Sequence, residues 1–248
     1  MVSWSAVQTG KGAGIEVTGD GSRERRGEEG EQRPRRGLPA RTLAARLLVG
    51  LAVFLLVGWG VGELWLSIVG SADLDAVREV AGQRSRALTD AARVVTWAGS
   101  AYVLVPLALI CCAALGRAGM RREAVAVALS LGGAMLLSNW VKLLVSRPRP
   151  PVAHLQVVAG ASFPSGHATQ ASALWFSLVL ALPALGAPRR VTAAAAALAL
   201  AVVVAVAATR VYLGVHYPGD VVAGVLLGAG WAVFVARCMR PSRSSGGA

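Results

Sequence analysis

Acidic side chains almost vanish from the second half of this chain. Of 13 Asp and Glu residues, six lie within the first 31 positions, and beyond Glu123 there is one, Asp220. A mechanism built on paired carboxylates is therefore excluded in that half. Charge is sparse overall, at 15%, against about 25% in a soluble globular domain. Cysteine is scarce too: Cys111 and Cys112 sit inside one apolar run and Cys238 near the end of another, so neither a disulfide framework nor a CxxC metal site is implied. Lysine occurs twice, at Lys11 and Lys142. The first forty residues contain no signal-peptide apolar segment.

What the chain has in quantity is apolar surface, 55% of its residues. A membrane-spanning helix needs about 20 mostly apolar residues. Six runs meet that, at 43–68, 97–116, 123–145, 168–186, 191–209 and 219–237. The reading is an all-α, six-transmembrane helical bundle over 42–238, with a short tail at 239–248. Residues 1–41, which include GSRERRGEEGEQRPRRG, carry too little apolar surface to offset chain entropy and are expected to be a disordered tail. Pro106 and Pro183 mark expected kinks in the second and fourth spans.

The formal charge of +12 comes largely from arginines flanking these runs. It is not a nucleic-acid footprint, which needs a solvated basic face. With the N-terminus inside, the cytoplasmic segments are the tail, the turn with Arg117, Arg121 and Arg122, the turn with Arg189 and Arg190, and the end with Arg237, Arg240 and Arg243. That follows the positive-inside rule. Segment 71–96 is then outside, its arginines matched by Asp73, Asp75, Glu79 and Asp90, and its apolar spacing predicts short amphipathic helices on the outer surface. Segments 146–167 and 210–218 are also outside, and hold nearly all the remaining polar chemistry.

That chemistry forms three clusters. In KLLVSRPRP, Lys142 lies at the end of the third span and Arg147 and Arg149 alternate with prolines that stiffen the loop. Lys142 reads as a snorkelling side chain or as a functional intramembrane charge. In SFPSGHA, Ser165 and Gly166 make a turn at a helix N-terminus, where backbone N–H groups and the helix dipole attract anions. Ser165 also fits a plain N-cap, which leaves His167 unexplained. In TRVYLGVHYPGD, a Tyr-Pro-Gly turn separates His216 from Asp220. Such a turn brings the carboxylate to one imidazole nitrogen and leaves the other free, as the orienting half of a serine-protease triad does. Asp220 as a helix cap is compatible with that role.

One face of the membrane thus gathers Lys142, Arg149 and Arg210, a backbone nest at Ser165 and Gly166, two histidines and one aspartate. This inventory suits a tetrahedral oxyanion, since phosphoryl transfer depends on positioning and charge stabilisation. His167 and His216 supply a nucleophile and a general acid. A zinc site from His167, His216 and Asp220 is the competing assignment, disfavoured by the surrounding cations.

Lys142 with six residues to Arg149-Pro150, then Pro164-Ser165-Gly166-His167, then Arg210 with five residues to His216 and three to Asp220, resembles the three signature motifs of the type 2 phosphatidic acid phosphatase superfamily. That superfamily also includes vanadium haloperoxidases. The resemblance covers roughly 97–238; where the third motif usually opens Ser-Arg, this chain has Thr209-Arg210. It implies an α-helical bundle and hydrolysis without metal or other cofactor. By similarity, His216 attacks phosphorus to give a phosphohistidine, Asp220 orients it, and His167 protonates the leaving oxygen and then activates water. Lys142, Arg149, Arg210, Ser165 and the Gly166 amide would bind phosphate, with Arg147 a second, more exposed contact. The expected substrate is a lipid monophosphate or diphosphate at the outer leaflet: a polyprenyl diphosphate, phosphatidate or phosphatidylglycerophosphate. The expected partners are that substrate and the membrane, with no nucleic acid and no oligomeric state assigned. Transfer to an alcohol acceptor uses the same site. A non-enzymatic anion or lipid transporter is the alternative from another class, and the chain lacks the internal repeat common in transporters.

Overall fold

The computed structural model of the chain describes residues 40–240; the two tails read from the sequence lie outside them except at 40–41 and 239–240, where Ala40 and Arg41 already belong to the first helix and Met239 still belongs to the last. Among the described residues all regular structure is helical. Seven α-helices follow in order: α1 (Ala40–Gly82), α2 (Arg86–Val95), α3 (Ala101–Arg117), α4 (Arg121–Val145), α5 (Gly166–Ala181), α6 (Arg189–Tyr212) and α7 (Pro218–Met239). Short 3₁₀ turns at Thr96–Gly99 and Leu182–Leu185 follow α2 and α5.

Five helical segments are long and apolar enough to cross a membrane, and α2 with α3, bent by 42° at their junction, makes a sixth candidate. The outward surfaces explain why water is the wrong solvent for this bundle. Leu48, Leu56, Ile68, Ile110, Leu198 and Leu226 are each more than 60% exposed, an arrangement stable only against hydrocarbon. The chain is an all-α, multi-pass membrane protein.

Two expectations need correction. Segment 71–96 does not form separate surface helices throughout, because α1 runs on as one helix through residue 82 and only 86–95 is a distinct short helix. Nothing between Ile68 and Gly82 breaks a helix: the stretch contains no proline, and Asp73 and Val77, one turn apart, both turn inward and are buried. The second span also begins later than predicted. Residues 96–99 are a 3₁₀ turn, and it ends at Gly99, which lies against Val206 and the His167 backbone, where a Cβ would come within 3.2 Å of the His167 carbonyl oxygen. Pro106 sits inside α3, and Pro183 falls in the 3₁₀ turn after α5.

Inside the bundle, α5 and α7 pack closely. At Gly224 a Cβ would lie 2.7 Å from the Ser165 carbonyl oxygen, so only glycine allows the start of α5 to approach α7 this far. Leu131, Leu174, Val203 and Val206 fill one core between α4, α5 and α6, and Ala134, Leu137, Trp231 and Val235 another between α4 and α7. Successive antiparallel crossings bring the C-terminal ends of α1, α4 and α6 and the N-terminal ends of α5 and α7 to one end of the bundle. The turns carrying Arg117, Arg121, Arg189 and Arg190 lie at the other.

Candidate active site

At that shared end is a cavity of about 330 Å³. Lys142 from α4, Arg149 from the following loop, Gly166 and His167 from α5, Arg210 from α6 and His216 from the α6–α7 turn all line it. No Asp or Glu does. Three cations and two imidazoles therefore face one space without an anion among them.

Each cation is held by neutral acceptors, so its charge stays uncompensated. Lys142 Nζ donates to the carbonyls of Ala161 (2.9 Å) and Ser162 (3.3 Å). Arg149 is fixed by its loop: Nε donates to Gly160 O (3.1 Å), Nη2 to Ala159 O (2.9 Å) and Nη1 to Val215 O (2.6 Å). Arg210, 1% exposed, donates through Nη1 to Gln156 Oε1 (2.6 Å) and Thr96 Oγ1 (2.8 Å). Its buried Nε has no protein partner. Carbonyl and amide oxygens aim a guanidinium without cancelling its charge, which prepares the cavity for an anion.

His216 is buried, and its two nitrogens have different surroundings. Nδ1 lies 3.4 Å from Asp220 Oδ2, and Nε2 lies 3.5 Å from Arg149 Nη1 at the cavity. Burial pushes the His216 pKa down to about 4, against the opposing pull of Asp220, because a low-dielectric site disfavours the imidazolium. The ring is accordingly neutral at physiological pH, with a lone pair available.

Asp220 does both things the sequence allowed. As the third residue of α7 it accepts from the Tyr217 N–H (3.0 Å), the helix-capping contact, and the same oxygen faces His216. Ser162 Oγ also donates to Asp220 Oδ2, and Arg147 Nη1 donates to Oδ1 (2.7 Å).

Ser165 is placed differently from the other predicted residues. It is fully buried; its hydroxyl accepts from Ala168 N (3.5 Å) and its amide donates to Asp220 O (2.9 Å). It builds the turn and does not line the cavity. Gly166 and His167 follow as the first two residues of α5, where amides have no intrahelical partner. Thr209, in the position of the departed motif serine, turns its hydroxyl to Val206 O (2.6 Å).

Arg147 is the clear correction. The resemblance casts it as a second, more exposed phosphate contact; it is 4% exposed and bridges Asp220 and Asp73 (3.0 Å). The sequence pattern makes Asp73 a surface charge balancing nearby arginines, and it too is buried. Gln156 and Thr96, which hold Arg210, and Ser162, which donates to Asp220, are not marked in the sequence, because an uncharged polar residue outside a helix carries no local signal of its partner. The zinc assignment loses its third ligand, since Asp220 lies behind His216 and outside the cavity. Among the described residues no cluster of three or more His, Cys, Asp or Glu could hold a metal ion.

A bundle of apolar helices with a cavity lined by cations and imidazoles at one end is the class this architecture defines. Comparison adds the family resemblance: residues 123–244 match the PAP2 superfamily. The chain is 30% identical over 138 residues to phosphatidylglycerophosphatase B of Bacillus subtilis, which covers 54% of this chain and 66% of the relative. It is 35% identical over 127 residues to decaprenylphosphoryl-5-phosphoribose phosphatase of Mycobacterium tuberculosis, covering 50% and 64%. The chain thus spans just under two thirds of the length of these curated relatives. The crystal structure of a transmembrane PAP2-type phosphatidylglycerolphosphate phosphatase from Bacillus subtilis superposes with a TM-score of 0.65 at 28% identity, covering 75% of this chain and 92% of that one.

Proposed function

We propose that this protein is a lipid phosphatase that removes phosphate from a lipid monophosphate or diphosphate at the extracytoplasmic membrane face, through a phosphohistidine. The observation that carries the proposal is the cavity itself, with three cations and two imidazoles facing a space that no carboxylate enters. The relatives are named as lipid phosphatases, which supports the same reading.

In this mechanism Lys142, Arg149, Arg210 and the Gly166 amide bind the phosphate oxygens. His216 Nε2 attacks phosphorus, and the bond from phosphorus to the lipid oxygen breaks. His167, entering the step as imidazolium beside the bound phosphate anion, gives one proton to that oxygen and is left neutral. Water then attacks the phosphohistidine as His167 takes its proton, the P–N bond breaks, and inorganic phosphate leaves with His216 restored. Asp220 orients His216 and stabilises the positive charge on its ring, while Ser165 shapes the turn that presents Gly166 and His167.

The test is phosphate release by the purified full chain in detergent, with EDTA, from a panel of polyprenyl diphosphate, phosphatidate and phosphatidylglycerophosphate. At least one should turn over, and His216→Ala should lose activity by a factor on the order of 10³ or more. Retained activity in His216→Ala, or a strict need for a divalent ion, would overturn the mechanism. Transfer of phosphate to an added alcohol would mark a transferase, and lipid flux in liposomes without release a transporter.

A further inference from the structure

α1 does not stop where its apolar run ends at Ile68, and the turns beyond carry Asp73 into the bundle. Asp73 Oδ1 accepts from the amide of Gly219 (2.9 Å), while Oδ2 accepts from Trp65 Nε1 (3.1 Å) and Arg147 Nη1 (3.0 Å). The same Nη1 reaches Asp220 Oδ1 at 2.7 Å, and the guanidinium carbon of Arg147 lies 3.7 Å from the centre of the Tyr217 ring. The side chains of Arg147, Asp73 and Asp220 are 4%, 3% and 0% exposed. Gly219 is glycine for a reason visible here: a Cβ would lie 2.6 Å from Asp73 Oδ2 and collide with the Trp65 indole nitrogen. All of Asp73's partners but Trp65 lie more than seventy positions away in the chain.

We propose that Asp73 is a positioning residue for the reaction at His216, acting through Arg147 on Asp220. The inference rests on the reading of His216 as nucleophile. One guanidinium shared between two carboxylates leaves the trio with a net charge of −1. Asp220 therefore still presents negative charge to His216 Nδ1 although an arginine touches its other oxygen. Without Asp73, Arg147 and Asp220 would form a neutral pair, and the imidazolium character that develops on His216 during attack would lose its stabiliser. In a buried site such a change in field is poorly screened. Asp73 also fixes the guanidinium in place, and so the direction from which Asp220 is held. It lies outside the region matched by the family, 123–244, so nothing in that match assigns it a role.

The discriminating readout is a pH profile, because a residue that only anchors α1 would alter stability and leave the titration of His216 alone. The charged and titratable groups facing His216 are Asp220 from α7, Lys142 from α4, Arg210 from α6, His167 from α5 and Arg149 from the loop, with Arg147 and Asp73 behind Asp220. All but the last two stay constant across the variants.

The experiment measures kcat and KM against pH for the detergent-purified full chain on one lipid phosphate, in Asp73→Asn, Asp73→Glu, Arg147→Gln, the double variant Asp73→Asn/Arg147→Gln, and His216→Ala. Asp73→Asn should lower kcat roughly 10- to 100-fold, as loss of an orienting partner does elsewhere, with little change in KM, and move the acid limb to lower pH. Arg147→Gln should move the limb to higher pH. The double variant, again at −1, should return it towards the wild-type position, and Asp73→Glu should retain most of kcat. If Asp73→Asn keeps the wild-type kcat and acid limb while His216→Ala is inactive, the inference is overturned and the catalytic reading stands. Activity in His216→Ala would instead remove that reading. Should Asp73→Asn fail to fold, Asp73→Glu and the double variant carry the comparison against Arg147→Gln, and coincident limbs in all three would overturn the inference.

Discussion

Arg147 and Arg149 stand two residues apart, on either side of Pro148, and serve different chemistry. Arg147 is buried between Asp73 and Asp220. Arg149 is held by the carbonyls of 159, 160 and 215 and faces the cavity beside His216. The proline fixes the backbone between them, so neither can take the other's place.

This separation predicts two distinct failures. Arg149→Ala should reduce kcat/KM by about 10²–10³, the typical effect of deleting one donor to a transition-state oxyanion, and leave thermal stability nearly intact. Arg147→Ala leaves two buried carboxylates without their cation, and breaking a buried pair in this way costs about 3–5 kcal/mol. Its melting temperature in detergent should fall markedly. Paired melting curves and kinetics on the two variants check this; equal stability loss in both would contradict the assignment.

The pH dependence follows from His216. Its pKa in the folded chain is pushed down to about 4 by burial, below the ordinary value of about 6.5. Between these values the unfolded chain binds a proton that the folded chain does not, so stability rises with pH across that window. The contribution is complete above about pH 6.5 and is lost as pH falls towards 4, where the folded state also takes the proton. In activity, the acid limb of kcat/KM should lie well below the usual histidine range once the substrate's own phosphate ionisation is measured and divided out. A limb near 6.5 assigned to His216 would contradict the buried, neutral ring.

Orientation can be read by labelling. Val157 is fully exposed in the loop beside the cavity, and Gly119 sits in the turn at the other end of the bundle. In a background lacking Cys111, Cys112 and Cys238, a membrane-impermeant maleimide applied to intact cells should label Val157→Cys and spare Gly119→Cys. The opposite pattern would place the cavity in the cytoplasm.

The helices were legible without the structure, because long apolar runs in a bilayer have one way to satisfy their backbone hydrogen bonds. The cavity's cations and histidines were legible as well: Lys142, Arg149, His167, Arg210 and His216 lie near helix ends, and a lone charge beside an apolar run is conspicuous. Asp73, Gln156 and Thr96 were not. Asp73 looked like one of several charges on a surface segment, and its burial depends on α1 continuing unbroken and on partners 74 and 146 positions away. The assignment of the two arginines turned on the same cause. KLLVSRPRP places both on one stiff loop, and their order is the same whichever way they face. Only the arrival of α1 beside the start of α7 decided that Arg147 would be neutralised in the interior and Arg149 left as a free charge at the cavity, since a buried guanidinium settles where carboxylates from elsewhere in the chain surround it.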